Sequence, residues 1–394
     1  MRILVIKLSS IGDIVHTMPA VAALRKALPM AHISWVVDPR SGVILDGSPV
    51  VDELIQLPRR IWKKHSFGSQ SFSEIRACLW RLRRGGAGPN SSPTPGREGS
   101  TALPAPGTVP EIAIDFQGLI KSGIVALASG AKRRIGFENK DLREPASRMF
   151  LTRQVPTAIH THKIDKNLEL ARSVIGEAAP GKTESDGSSA CNGRDPLDYE
   201  FPFFVSPGDE EYANQVVDGQ PDFAIINPGG GWPTKLWDAR RYGQIADWLW
   251  SERGLASLIT YGPGEEPLAM AVKHATRSQR AKPVASTLKQ YIALARRARL
   301  FVGGDTGPLH IAAACRTPVV GLYGPTSPER NGPFGDRDVT LGRDLWCRPD
   351  CHRRRCWQWE CMNIEVRDVQ RAIAARLEGG PVLDVSRAPA PFLV

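Results

Sequence analysis

A short apolar strand that runs into a glycine-bearing turn recurs along this chain, and no other pattern restricts its fold as tightly. Residues 3–6 lead into Ser9-Ser10-Ile11-Gly12, a predicted helix over 13–28 that Pro29 stops, and a second strand over 32–37. Residues 111–115 lead into Phe116-Gln117-Gly118 and a helix through about 128. The same grammar follows at 222–226 (Asn227-Pro228-Gly229-Gly230-Gly231), 256–261 (Gly262-Pro263-Gly264), 300–302 (Gly303-Gly304-Asp305) and 318–322 (Tyr323-Gly324-Pro325). Strand, turn and helix in alternation build a doubly wound parallel sheet, and ligands collect in the loops at the carboxyl ends of such strands.

At 394 residues the chain is too long for one ordinary core, and it suits two α/β domains of about 150–200 residues each. The stretch 85–109 is rich in Gly, Pro and Ser, and 177–196 is polar and glycine-rich; both read as insertions without periodicity. The second sits near the middle, so the expected domains are 1–200 and 201–378, followed by a tail over 379–394. Apolar content of 42% and charged content of 23% are those of a soluble globular protein. No apolar run approaches the roughly 18–20 residues that cross a bilayer, and the start of the chain reads as a strand, not a signal peptide. A cytoplasmic protein is expected. Net charge is +10, and the basic residues form small groups (Arg59, Arg60, Lys63 and Lys64; Arg81, Arg83 and Arg84; Lys132, Arg133 and Arg134). None belongs to a nucleic-acid motif, so nucleic acid is not expected as a partner. A solvated surface and an acidic membrane or phosphorylated partner both remain open for these groups.

Four loops offer chemistry. In Gly303-Gly304-Asp305-Thr306-Gly307-Pro308-Leu309-His310, a strand delivers the chain to a helix start whose free N–H groups favour a phosphate. The alternative is a capped helix with Asp305 or Thr306 as N-cap and His310 packed. In Asn227–Trp237 the glycines allow close backbone approach to an anion, and Lys235 offers a point charge. The Walker A spacing is absent, and a flexible turn with a solvated lysine is the bland alternative. In Lys7-Leu8-Ser9-Ser10-Ile11-Gly12-Asp13 the aspartate follows the first strand, placed as a general base or as an N-cap. In Tyr261-Gly262-Pro263-Gly264-Glu265-Glu266 a carboxylate beside a glycine turn suits ribose hydroxyls, or simply an acidic helix start. Of seven cysteines, Cys347, Cys351, Cys356 and Cys361 crowd one segment that also holds His352. Their spacing, C-x3-C-x4-C-x4-C, is not that of a zinc finger; loose thiols, occasional disulfides or a structural zinc are the options.

Together these residues resemble glycosyltransferase family 9, the ADP-heptose:lipopolysaccharide heptosyltransferases, over most of the chain outside the insertions and tail. The segments 7–19 (KLSSIGDIVHTMP), 115–122 (DFQGLIKS) and, most specifically, 303–313 (GGDTGPLHIAA) carry the resemblance. Arg59–Lys64 and Arg143-Glu144-Pro145 look most like heptosyltransferase I, which adds heptose to Kdo of the lipid A acceptor. The glycine-rich form of 229–231 departs from that type, which leaves heptosyltransferase II or another family member with a different sugar nucleotide as alternatives.

The resemblance implies a GT-B fold, two Rossmann-like doubly wound α/β domains facing a central cleft, and an inverting transfer that needs neither metal nor cofactor. It implies Asp13 as general base, Lys235 on the ADP phosphates, Glu265 on the ribose and Asp305 on heptose hydroxyls. Gly230, Gly231 and Thr234 would lie beside the diphosphate, and Thr306, Gly307 and His310 would form the phosphate-facing helix start. Ser10, Gly12, Arg59, Arg60, Lys63, Lys64, Gln117 and Arg143 would meet the acceptor. The implied partners are ADP-heptose, Kdo–lipid A and the inner face of the inner membrane. A non-catalytic nucleotide-sugar or lipopolysaccharide-binding protein is the reading of a different class, and a zinc-dependent interaction module at the cysteine segment is another.

Overall fold

The computed structural model describes residues 1–57, 80, 82–83, 109–158, 162–178, 199–218, 222–347, 351, 353–357 and 359–378. The chain divides into two compact units. Described residues through Phe204 belong to the first, and those from Val205 belong to the second. The stretch Tyr199–Phe204 returns to the first unit, where Ser48 Oγ donates to the Pro202 carbonyl at 3.1 Å.

In the first unit six strands form one sheet: β1 (Arg2–Ile6), β2 (His32–Val37), β3 (Glu53–Gln56), β4 (Ile112–Asp115), β5 (Arg133–Phe137) and β6 (Arg153–Val155). Their order is β3-β2-β1-β4-β5-β6, and all pairs are parallel. β1 and β4 are buried along their whole length. That is why they read as continuous apolar runs and not as alternation. Chain order reverses between β1 and β4, and a doubly wound sheet opens a crevice at such a switch point. Ile6 lies opposite Asp115 in register, so the loops after β1 and β4 leave the sheet side by side.

The second unit repeats the plan with β7 (Phe223–Asn227), β8 (Ala256–Tyr261), β9 (Ala281–Ala285), β10 (Leu300–Gly304), β11 (Val319–Leu322) and β12 (Val339–Leu341). The order β12-β11-β10-β7-β8-β9 is the same topology, again all parallel, with its switch point between β7 and β10. Both units are therefore Rossmann-like, the composition of a GT-B chain.

Two elements differ from the sequence reading. The helix expected over 13–28 is two helices, Ile11–Val15 and Met18–Ala27. Pro19 has no N–H for the Val15 carbonyl, and its ring crowds the preceding turn, so the first helix cannot pass it. The break is braced from outside, because Asn167 Nδ2 donates to the His16 carbonyl at 2.9 Å. The strand expected to end at residue 302 runs on through Gly303 and Gly304. Gly303 pairs with Asn227, and a Cβ there would stand 2.8 Å from the Asn227 carbonyl oxygen. Two strands approach so closely at this point only because the side chain is missing.

Candidate functional site

In the first unit the switch point gathers charge. Lys7 directly follows β1 and is buried, and its Nζ donates to the Phe116 carbonyl at 2.7 Å. This bond ties the loop after β1 to the loop after β4. Gln117 adds a second tie: its side-chain oxygen accepts from the backbone N–H of Leu8 at 3.0 Å and of Ser9 at 3.4 Å. Asp115 fixes the turn that presents Gln117, accepting from Gln117 N, Gly118 N and Ser122 Oγ. Gly118 takes a positive φ of 66° there, a conformation that suits glycine. Burial pushes the Asp115 carboxyl up, against the hydrogen bonds and the Lys7 charge.

Asp13 stands in the third position of the helix Ile11–Val15. Its Oδ2 accepts from Ser10 N at 3.1 Å and lies 3.3 Å from Ser10 Oγ, which makes Ser10 the N-cap. Its Oδ1 meets Lys163 Nζ at 2.8 Å. The Asp13 side chain keeps 19% exposure and that of Lys163 keeps 32%, so the pair is open to solvent on one side. Burial works to raise the Asp13 pKa. The charges of Lys163 and Lys7 and the bonds from Lys163 and Ser10 outweigh it and hold the carboxyl well below the usual range. Burial lowers the Lys7 pKa; Asp13 and Asp115 oppose the shift, while Lys163 and Arg143 add to it. Arg143 is exposed, next to Glu144, whose N–H donates to the Gly118 carbonyl at 3.1 Å.

The sequence-expected residues Ser10, Gly12, Asp13, Gln117 and Arg143 thus belong to one edge of one sheet. Arg59, Arg60, Lys63 and Lys64 lie outside the described residues. Arg81 and Arg84 also lie outside them, while Arg83 Nε donates to the Ala128 carbonyl at 3.1 Å; in the third basic group Arg133 pairs with Glu177, and Arg134 donates to the carbonyls of Phe150 and Ala131. Sequence reasoning missed Lys163 and the use of Lys7. Lys163 opens the helix Lys163–Ala178, far along the chain and without a glycine turn to mark it.

In the second unit the switch point is built around Asp305, which is buried. Its Oδ2 accepts from Lys235 Nζ at 2.6 Å and from Thr326 Oγ1 at 2.7 Å. Its Oδ1 accepts from Asn331 Nδ2 at 3.0 Å and lies 3.1 Å from His310 Nε2. Burial would raise the Asp305 pKa; the His310 bond and charge, then Lys235, hold it far below the usual carboxylate range. Lys235 also donates to the Asp305 carbonyl at 3.0 Å and sits 4.6 Å over the Trp232 ring. The ammonium is positioned by three groups at once.

Thr306 is the N-cap of the helix Gly307–Ala314, yet its side chain makes no capping bond. Its hydroxyl instead lies 3.3 Å from the Gly304 carbonyl and 3.5 Å from Asn227 Oδ1. No side-chain cap covers the helix start, and Thr306, Gly307 and Pro308 are all half-buried. The β7 and β8 loops meet at Gly229: a Cβ there would stand 2.5 Å from Glu265 Oε2. Glu265 Oε2 accepts from Gly262 N at 3.1 Å. A Cβ on Gly231 would meet nothing within 4 Å, whereas one on Gly230 would press on Leu236 at 2.9 Å. Lys235, Asp305, Thr306, Gly307 and His310 therefore form one cluster, and Gly230 and Glu265 flank the same strand edge.

The cysteine segment reaches this edge. Thr234 Oγ1 donates to the Arg353 carbonyl at 2.7 Å, and Trp359 Nε1 donates to the Thr234 carbonyl at 3.2 Å. Cys347, Cys351, Cys356 and Cys361 line a cavity of about 130 Å³ with Trp346, Trp359 and Thr234. Among the described residues no three His, Cys, Asp or Glu side chains are placed to hold a metal ion. His352 lies outside the described residues. Among the described residues, no helix is long and apolar enough to cross a membrane.

Comparison with known proteins matches residues 110–358 to the model of glycosyltransferase family 9 (heptosyltransferase). Lipopolysaccharide heptosyltransferase 1 of Pseudomonas aeruginosa is 27% identical over 367 residues, which cover 90% of this chain and 87% of that protein. The structure of E. coli heptosyltransferase WaaC with ADP superposes with a TM-score of 0.69 at 20% identity, covering 95% of this chain and 100% of that one. The structure of E. coli ADP-heptose lps heptosyltransferase II gives a TM-score of 0.66 at 19% identity, covering 96% of this chain and 99% of that one.

Proposed function

Because the chain belongs to glycosyltransferase family 9, the heptosyltransferases, we propose that it transfers L-glycero-D-manno-heptose from ADP-heptose to a Kdo hydroxyl of the lipopolysaccharide inner core, with inversion and without a metal. Its relatives are named lipopolysaccharide heptosyltransferase 1 and, in Haemophilus influenzae, lipopolysaccharide core heptosyltransferase. The observation that carries the finer reading is a division of labour between two switch points. One holds a carboxylate, Asp13, at a solvent-open edge; the other holds an ammonium, Lys235, beside an uncapped helix start.

The chemistry follows from these groups. The acceptor oxygen attacks the anomeric carbon of heptose as the bond from that carbon to the ADP oxygen breaks. The proton of the acceptor hydroxyl passes to Asp13, and the electron pair of the broken bond leaves on ADP. Lys235 and the N–H groups at Thr306–Gly307 stabilise the charge that grows on the diphosphate. This local positive charge fills the role a divalent ion would otherwise take. Glu265, beside Gly229 and Gly262, would take the ribose hydroxyls. Asp305 orients Lys235, and a contact with heptose hydroxyls requires exchange of one of its four donors. Transfer requires that water be excluded from the reacting pair.

An assay of ADP release from ADP-heptose with a Kdo–lipid A acceptor tests this reading. Wild type turns over only with the acceptor present, and Asp13→Ala is slower by about 10²–10⁴-fold, the usual worth of a general base. Equal rates for the two proteins refute the base assignment. EDTA leaves the wild-type rate unchanged. A rate abolished by EDTA and restored by a divalent ion refutes the metal-free mechanism. We also propose a cytoplasmic location with peripheral contact at the inner face of the inner membrane, where the acceptor is anchored.

A further inference from the structure

We propose that Lys163 is the receptor for the acceptor's carboxylate and that it leaves Asp13 to take that carboxylate up, so that the base is freed only when an anionic acceptor sugar is bound. The inference rests on the reading of Asp13 as general base. It starts from an awkward fact of the geometry. Lys163 Nζ sits 2.8 Å from Asp13 Oδ1, the oxygen that Ser10 does not occupy. Each carboxylate oxygen has two lone pairs, so an acceptor hydroxyl can still reach Asp13, but on Oδ1 it shares the oxygen with an ammonium that already draws on its charge. The same pair also opposes the proton that Asp13 must accept, since a neighbouring cation favours the ionised form.

The surroundings show which of the two partners can move. Asp13 is fixed on a short helix by Ser10, and the Thr17 hydroxyl donates to its own carbonyl at 2.8 Å. Lys163 is the first residue of its helix, its side chain is about one-third exposed, and four rotatable bonds carry its ammonium. Its helix is held elsewhere, by Asn167 on the His16 carbonyl and on Thr17 Oγ1. The head group can therefore swing while the helix stays. The ionisable groups around Asp13 are Lys163 from this helix and Lys7 directly after β1. Beyond Lys7 lie Asp115 after β4 and Arg143 on the loop after β5. His162, next to Lys163, packs edge-on against His16. Lys163 is the most mobile cation at this edge, and a sugar acid brings an anion that can pair with it. Lys7 cannot be the mobile receptor, because it is buried and bonded to the Phe116 carbonyl.

The test crosses two acceptors with four proteins. The acceptors are a Kdo-bearing glycoside and its C1 carboxamide; the proteins are wild type, Lys163→Met, Lys163→Arg and Asp13→Asn. For wild type the carboxamide lowers kcat/KM by about 10–100-fold, the worth of one charge-assisted hydrogen bond. In Lys163→Met the two acceptors differ by less than about threefold, and Lys163→Arg restores the preference. The acid limb of the kcat/KM–pH profile, which reports the acceptor-free enzyme, moves to higher pH in Lys163→Met, because the cation that favours ionised Asp13 is gone, while the kcat profile stays near that of wild type. A circular dichroism melt shows that each variant is folded. Lys163→Met discriminating as strongly as wild type overturns the proposal. Asp13→Asn turning over as fast as wild type overturns the base assignment instead, which separates the two failures.

Discussion

Asp305 shows what one residue decides. Four donors meet its buried carboxylate, and two of them, Lys235 and His310, are residues the sequence marked for diphosphate binding. Asp305→Ala leaves Lys235 as a largely buried ammonium without its partner. The loss of one member of a buried pair costs about 3–5 kcal/mol, and urea titration at neutral pH should show a destabilisation of that order. Because the folded carboxyl titrates far below its unfolded value, this contribution is complete above about pH 4. It is lost as the pH falls further, so the difference between wild type and variant narrows only in strong acid. Asp13 follows the same sign through Lys163 but is partly exposed, and screening reduces its share.

At the scale of elements, the loops after β7, β8 and β10 converge because glycines let them. Gly229 lies against the Glu265 carboxylate, the far end of a flexible side chain, so Gly229→Ala turns that carboxylate away from Gly262 N. A Glu265 that holds the ribose then loses a hydrogen bond to a charged group, about 1.5–3 kcal/mol, a weakening of roughly 10–150-fold in ADP affinity by calorimetry, with the Lys235–Asp305 cluster intact. Gly231→Ala meets open space and serves as the contrast: its ADP affinity stays near wild type unless the diphosphate itself fills that space. The strand-end loops were legible in the sequence because a buried parallel strand reads as an apolar run and its turn needs glycine. The Asn167 brace at the helix break was not legible, since a polar residue 150 positions away carries no local signal.

For the whole molecule, two Rossmann-like sheets with the same strand order each carry their own core. ADP alone should protect the amides of 229–235, 262–265 and 303–310 from hydrogen exchange, and leave the loops after β1 and β4 unchanged. Protection spread equally over both units would place the nucleotide elsewhere. A ligand at one hundred times its Kd stabilises the form it binds by about 2.7 kcal/mol, enough to be seen as a shift in the unfolding of the second unit.

What the sequence determined by itself is the set of local periods: where strands run, where glycine turns them, where a helix starts, and that two such sets share one chain. From those periods came the α/β class and the residues Asp13, Lys235, Glu265, Asp305, Thr306 and His310 as strand-edge groups. Only tertiary structure decided their partners. Lys163 meets Asp13 across 150 positions, Lys235 meets Asp305 across 70, and Thr326 and Asn331 reach the same carboxylate from beyond β11. Short-range propensity acts over a turn or two of chain, whereas an ion pair is set by which strands lie adjacent and in what register, and that is fixed only when the sheet closes.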